Sequence, residues 1–304
     1  MRLRHLGRPS LEPYADRFAV PPAEGPISVT FLGVATLLVD DGETQLLTDG
    51  FFSRPGLLQV GLRRIAPDPG RIDACLARAG ADRVAVVAPV HSHFDHALDS
   101  AAVAARTGAL LVGGGSTANI GRGASLPEDR VRTVASGDQV TAGAFSLTFV
   151  ASEHCPPDRF PGEITEPLTP PAKAAAYRCG EAWSILVAHE GGRRMLVQGS
   201  AGYVEGALDG HEAEVAYLGI GQLGKQDDTY LHAYWQHTVR AVGARQVVLI
   251  HWDDFFRPLD RPLRALPFLG DDLDHTMRVL VPLAERDGVN VRFPTVWRRE
   301  DPWP

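Results

Sequence analysis

The sequence predicts an α/β protein in which two strand-and-helix layers face each other, and three observations carry that expectation. Residues 27–32 read Ile27-Ser28-Val29-Thr30-Phe31-Leu32, and two further apolar runs follow at 35–39 and 44–47 with Asp40-Asp41-Gly42 between them. Period-two alternation around such a turn describes an antiparallel β start. Val84-Ala85-Val86-Val87-Ala88 is an almost continuous apolar run, the pattern of a strand buried on both faces. Strands and helices then interleave in both halves of the chain, which is how two βα layers arise.

Taken in order, residues 1–26 are rich in proline and charge without a period and are read as an N-terminal arm, with 27–304 a single domain. Several Pro, Gly and Arg residues make 53–70 a predicted loop; 72–79 is a short helix and 83–90 the central strand. A helix at 100–107 and strands at 110–112, 131–134 and 145–150 follow, then a proline-rich loop at 155–171. The second half repeats the logic: strands at 183–188, 194–198 and 215–218, a helix at 229–242, and a strand at 246–250. A proline-rich stretch within 255–270, a helix at 272–286 and a strand at 290–293 complete it.

Composition narrows the class. The 304 residues are 44% hydrophobic and 22% charged, the balance of a soluble globular protein with a large core. The formal net charge of −7 disfavours non-specific binding to nucleic acid or anionic membranes, so a small-molecule substrate is the expected partner. Cys75, Cys155 and Cys179 form no CxxC pair, which speaks for reduced thiols rather than a disulfide framework or zinc knuckle. No apolar run of signal-peptide length follows the first residues, and none approaches the roughly 18–20 residues of a membrane span. A cytoplasmic location is expected.

The chemistry concentrates in His91-Ser92-His93-Phe94-Asp95-His96, directly after the buried strand. Three histidines and a carboxylate within six residues are a metal-binding density, since imidazole is the commonest zinc ligand and carboxylate completes such sites. From a strand end, His91 and His93 can point to one metal while Asp95 and His96 turn to a second position. The C-terminal ends of strands are also where α/β proteins gather their ligands.

HSHFDH resembles the HxHxDH signature of the metallo-β-lactamase superfamily, and the resemblance runs over roughly residues 27–295. Leu46-Leu47-Thr48-Asp49-Gly50 looks like the family's early strand ending in an aspartate. Val150-Ala151-Ser152-Glu153-His154 and Leu249-Ile250-His251-Trp252 look like the strands that deliver its later histidines. Within the superfamily the layout is most similar to the group of UlaG-like lactonases and N-acyl-phosphatidylethanolamine phospholipases. The resemblance implies a four-layer αββα sandwich. It implies one metal on His91, His93 and His154, and a second on Asp95, His96 and His251, with Asp95 orienting the nucleophile. Asp49 would fix a histidine tautomer from behind, or simply cap a turn. The implied activity is zinc-dependent hydrolysis of an ester, lactone, amide or phosphodiester by an activated water. Manganese and iron are the other metals such ligands accept; iron-containing flavoprotein relatives carry glutamate where His93 stands.

One position departs from the pattern. The family's bridging aspartate is expected within Val197-Gln198-Gly199-Ser200-Ala201-Gly202-Tyr203, and Ser200 stands in its place. A neutral hydroxyl is a poor ligand beside a carboxylate. Either two metals remain, bridged by water alone as in some true metallo-β-lactamases with serine here, or the second metal is weak or absent. In the latter case a non-hydrolytic member, an oxygenase or a degenerate metal-binding protein, is the alternative.

Other residues are read as structural. Cys155 points away from its neighbour His154. His232 and His237, five apart on a predicted helix, face different ways, which leaves His232 alone able to reach the site. His189, His211 and His275 are expected in solvent. Gly113-Gly114-Gly115-Ser116 lacks the P-loop lysine and dinucleotide spacing and opens a helix. The loops 155–171 and 255–270, with Phe160, Phe255, Phe256 and Arg257, are expected to wall an amphipathic substrate carrying an acidic group.

Overall fold

The computed structural model describes residues 7–19 and 25–303. Residues 1–6 and 20–24 of the expected arm, and Pro304, lie outside the described residues. Within the arm, Glu12–Phe18 forms a 3-10 helix laid on the domain. Phe18 stacks on Phe293 with ring centroids 4.8 Å apart, and the Phe293 N–H donates to the Arg17 carbonyl.

Two seven-stranded sheets form the centre. The first contains β1 (Ser28–Phe31), β2 (Leu37–Asp40), β3 (Gln45–Thr48), β4 (Val84–Ala88), β5 (Leu110–Gly113) and β6 (Val131–Thr133) side by side. The second contains β7 (Gln139–Ala142), β8 (Phe145–Ser152), β9 (Ala182–His189), β10 (Arg194–Gln198), β11 (Val215–Gly219), β12 (Gln246–Ile250) and β13 (Asn290–Arg292) in sequence order. A two-residue β14 (Arg299–Glu300) then returns to the first sheet beside β1.

Period two along each strand sorts side chains into separate cores. On β12, Val248 and Ile250 face the opposite sheet with Phe31, Leu46, Phe149 and Tyr217, whereas Val247 and Leu249 face the helices. Helices α2 (Pro69–Ala79), α4 (Ser100–Thr107) and α5 (Gly115–Gly123) cover the first sheet; α6 (Asp228–Trp235) and α7 (Leu273–Asp287) cover the second. The result is the expected helix–sheet–sheet–helix sandwich.

Four local expectations are corrected. The predicted loop 53–70 contains the short helix α1 (Leu57–Leu62). The predicted 72–79 helix starts at Pro69, because proline's fixed φ suits a first turn and Asp68 accepts the Arg71 N–H as the cap. The helix expected through residue 242 ends its α geometry at Trp235 and continues as a π turn, Gln236–Arg240. Strands β7 and β14 are additional; β14 is held by buried Glu300, which accepts from Arg292 and from the Tyr217 hydroxyl at 2.9 Å.

Strand direction positions the site. β3 and β4 are parallel; β10, β11 and β12 are parallel; and β8, two antiparallel steps from β10, runs with it. Their C-terminal ends meet at one edge, where the His251 N–H donates to the Val34 carbonyl across the two sheets at 2.7 Å.

Candidate metal centre

The six side chains converge as two triads. His91, His93 and His154 bring ligand atoms within 4.8 Å of one another, and Asp95, His96 and His251 do the same. His91 Nε2 faces His93 Nδ1 at 3.1 Å, and His154 lies edge-on to both rings. Asp95 Oδ2 is 3.5 Å from His251 Nε2 and 3.8 Å from His96 Nε2. His91 and His96 stand with ring centroids 4.0 Å apart, so the triads adjoin.

Each element explains one placement. The motif follows β4 directly, and α3 (Phe94–Ala97) turns Asp95 and His96 back beneath His91. His154 follows β8, and its Nδ1 donates to the Cys155 carbonyl at 2.7 Å, leaving Nε2 for the centre. Gly202 lets a neighbouring loop pass; a Cβ there would come within 2.0 Å of the Glu153 carbonyl. His251 follows β12 with φ 59, a left-handed conformation, and Gly221 makes room for its ring, since a Cβ would lie 2.7 Å from His251 Nδ1. Asp49 is also left-handed, at φ 50. Such backbone costs about 1–3 kcal/mol per residue and persists where surrounding structure enforces it.

Asp49 is fully buried and does more than cap a turn. One oxygen accepts the Val90 N–H at 2.9 Å, and the other receives His96 Nδ1 at 2.7 Å, which fixes the tautomer with Nε2 free. Nε2 of His96 is buried without a hydrogen-bond partner among the described residues. An unsatisfied buried nitrogen costs about 1–3 kcal/mol, and a cation between it and Asp95 removes that cost. Five imidazoles and one carboxylate also form a donor set suited to a first-row divalent metal. The residues present therefore fit the implied metals. Replacing Asp49 with Asn is expected to weaken metal binding about 10- to 100-fold. Competition against a chromophoric chelator measures it, and an unchanged affinity would leave Asp49 as a turn cap.

The two triads carry opposite electrostatic bias. Burial, reinforced by neighbouring histidines, holds His91 well below the ordinary imidazole range and His154 down at about 4. For His96, burial also pushes down, but Asp49 and Asp95 outweigh it and the net shift is upward. Burial alone would raise Asp95, yet His96 and His251 hold it well below the carboxylate range. The consequence for metal binding follows from proton competition. His154 offers a neutral ring down to about pH 4, whereas His96 is protonated from above its ordinary range. For a centre with an ion on each triad, acidification from pH 7.5 is expected to release the ion of Asp95, His96 and His251 first. Metal content after dialysis across pH 7.5–5 tests this; loss from the His91 triad first would reverse it.

Ser200 follows β10 and is buried. Its hydroxyl accepts the Cys155 N–H at 3.0 Å, tying down the turn after His154. Cys155 is buried, and its main chain, not its thiol, serves the site. Gly115 and Ser116 N–H groups are taken by the Glu181 carboxylate, so this helix start already holds an anion. His232 is exposed on α6 and not at the centre, while His237 stacks on Tyr203. His189 and His275 are not in open solvent: they pair with Asp41, in the turn after β2, and Asp228, at the start of α6. His211 is half-buried beside Leu208.

One residue escaped the sequence reading. Asp158, on the loop over the centre, places Oδ1 3.2 Å from His93 Nε2, and the Phe160 carbonyl lies 3.3 Å from the same nitrogen. Its only sequence signal is a carboxylate four residues after His154. Of the four residues named on the two loops, Phe160 is edge-on to His93 and Phe255 to His251, with centroids 6.1 and 5.7 Å apart, whereas Phe256 packs on Phe255 and Arg257 Nε donates to the Pro262 carbonyl.

No known family model matches the chain. It is 32% identical over 141 residues to a UPF0173 metal-dependent hydrolase of Anaeromyxobacter sp. (strain K), a match of 43% of this chain that spans only 44% of that relative. Igni18, a metallo hydrolase of Ignicoccus hospitalis, is similar in structure with a TM-score of 0.53 at 14% identity, covering 91% of this chain and 96% of its own. CmlA, a diiron β-hydroxylase of Streptomyces venezuelae, is similar with a TM-score of 0.55 at 13% identity, covering 92% of this chain and 54% of its own. At these identities the likeness speaks to architecture. Two facing sheets with outer helices, a motif loop after β4, and histidines arriving from β8 and β12 give this chain the metallo-β-lactamase fold.

Proposed function

We propose that the protein is a zinc-dependent hydrolase with a two-metal centre, acting on a small molecule through an ester, lactone, amide or phosphodiester bond. The observation that carries the reading is the pair of adjoining triads, each with its ligand atoms within 4.8 Å. Bound zinc supplies an acidified water as nucleophile and Lewis acidity for the oxyanion that develops. The chain's own residues do the rest. Asp95 stays ionised beside His96 and His251, which suits it to accept the hydrogen bond that aims the attacking water. Asp49 holds His96 in one tautomer. Phe160 and Phe255 exclude water from either side and offer apolar contact to a substrate group beside the scissile bond.

The alternative of a degenerate or oxidative centre rests on Ser200 and on the diiron enzyme sharing the fold. Metal analysis of chelator-free protein, with turnover of ester, lactone and phosphodiester probes, decides between them. About two zinc ions per chain with zinc-dependent turnover supports hydrolysis; iron, or one metal without turnover, removes it. Ser200→Asp places a carboxylate where the hydroxyl now caps the Cys155 N–H. Carboxylate is the better ligand, so the second metal is expected to bind at least about tenfold more tightly, roughly 1.4 kcal/mol. Calorimetric titration reads this, and an unchanged second affinity would show that residue 200 does not face the metals.

A further inference from the structure

We propose that Asp158 is a positioning residue for His93, and that it makes closure of the loop over the centre part of metal binding. The inference rests on the metal-centre reading above. His93 has two ring nitrogens with separate tasks. Nδ1 faces His91 Nε2 at 3.1 Å and belongs to the first triad. Nε2 points away, toward Asp158 Oδ1 at 3.2 Å and the Phe160 carbonyl at 3.3 Å. Both acceptors lie on the same loop. A proton on Nε2 leaves Nδ1 as a lone pair; the Phe160 carbonyl accepts that N–H and the Asp158 carboxylate beside it favours the same tautomer through its charge.

The loop is built to hold this geometry. The Phe160 N–H donates to Asp158 Oδ1 at 2.9 Å, which fixes the carboxylate. The Cys179 N–H donates to the Phe160 carbonyl at 2.9 Å, and the Cys179 carbonyl accepts the Ser92 N–H, from inside the motif, at 2.9 Å. Gly180 ties to Gly162 in the same way. Residues 158–162, 179–180 and 91–93 are thus one hydrogen-bonded unit. If the loop swings away, both acceptors leave together and His93 loses what fixes its tautomer. Opening for substrate exchange therefore weakens the first metal, and an ordered loop strengthens it.

Metal affinity is measured by cobalt and zinc competition for the wild-type chain, Asp158→Ala and Asp158→Asn. Thermal unfolding of each metal-free protein runs alongside. Asp158→Ala is expected to weaken the first metal about 10- to 100-fold and to change the cobalt ligand-field spectrum, with metal-free stability held. Asp158→Asn, whose amide oxygen still accepts the Phe160 N–H but carries no charge for Nε2, is expected to fall between Asp158→Ala and wild type. Metal binding is expected to slow amide exchange at residues 158–162 in the wild type and not in Asp158→Ala. Unchanged affinity and spectrum in Asp158→Ala would overturn the assignment. So would a loss of metal-free stability with affinity intact. Absence of metal binding in the wild type would instead overturn the metal-centre reading itself.

Discussion

Replacing Asp95 with Asn is expected to lower kcat by about three orders of magnitude with the fold intact. Its carboxylate is buried, and its near polar neighbours are His251 Nε2 at 3.5 Å and His96 Nε2 at 3.8 Å. No backbone donor depends on it among the described hydrogen bonds, so an isosteric amide leaves the turn of α3 standing. What Asn removes is the negative charge that His96 and His251 hold ionised. A neutral amide is a weak metal ligand and a weak acceptor for the attacking water, and losing a positioned base costs about 10²–10⁴-fold. The variant is compared with wild type for turnover, metal content and metal-free unfolding. Activity within tenfold of wild type would sink the role given to Asp95. Parallel loss of activity and stability would mean that its task is structural.

The ease with which the centre could be read varied with how local its signals were. Four of the six converging side chains sit in one hexapeptide after an apolar run, so a single β strand and its exit loop bring them together. His154 and His251 needed only the rule that strand ends at one sheet edge meet, and parallel β10–β12 with co-directed β8 satisfy it. Asp49 could be placed but not assigned, because its tautomer-fixing bond to His96 spans 47 residues. Asp158 was invisible for a related reason. It lies in a loop without period, and its contact with His93 depends on main-chain ties to Cys179 and Gly180 that no pattern announces. The β14 strand has two residues and charged side chains; the Tyr217 hydroxyl, 83 residues away, together with Arg292 makes its glutamate a core residue. His275 and His189 misled because their flanking charges suggested solvent, whereas their partners, Asp228 and Asp41, lie 47 and 148 residues away in sequence.

The largest stability effect is expected at Arg54, which is fully buried and paired with fully buried Asp253. Its Nε donates to the Arg257 carbonyl at 2.6 Å and its second nitrogen to the Asp254 carbonyl at 3.0 Å. Asp253 in turn accepts the Val34 N–H at 2.9 Å, and the Val34 carbonyl accepts the His251 N–H. Val34 sits at φ 53, a strained setting for a β-branched residue, and these two bonds hold it there. Arg54→Met leaves the fully buried Asp253 charge without its partner, and breaking such a pair from one side costs about 3–5 kcal/mol. Urea unfolding of the metal-free protein measures this without the stabilisation that metal binding adds. Arg54→Met combined with Asp253→Asn removes the stranded charge and keeps an acceptor for Val34, so the double variant is expected to regain most of the loss. A single-variant cost below about 1 kcal/mol would contradict the energetic role of the pair. A double variant no better than the single would show that the arginine acts through packing and its carbonyl bonds instead. Because the chain of bonds ends on His251, Arg54→Met is also expected to weaken the metal of the Asp95 triad while sparing that of the His91 triad. That asymmetry separates a buried ion pair that aims a ligand from one that only stabilises the fold.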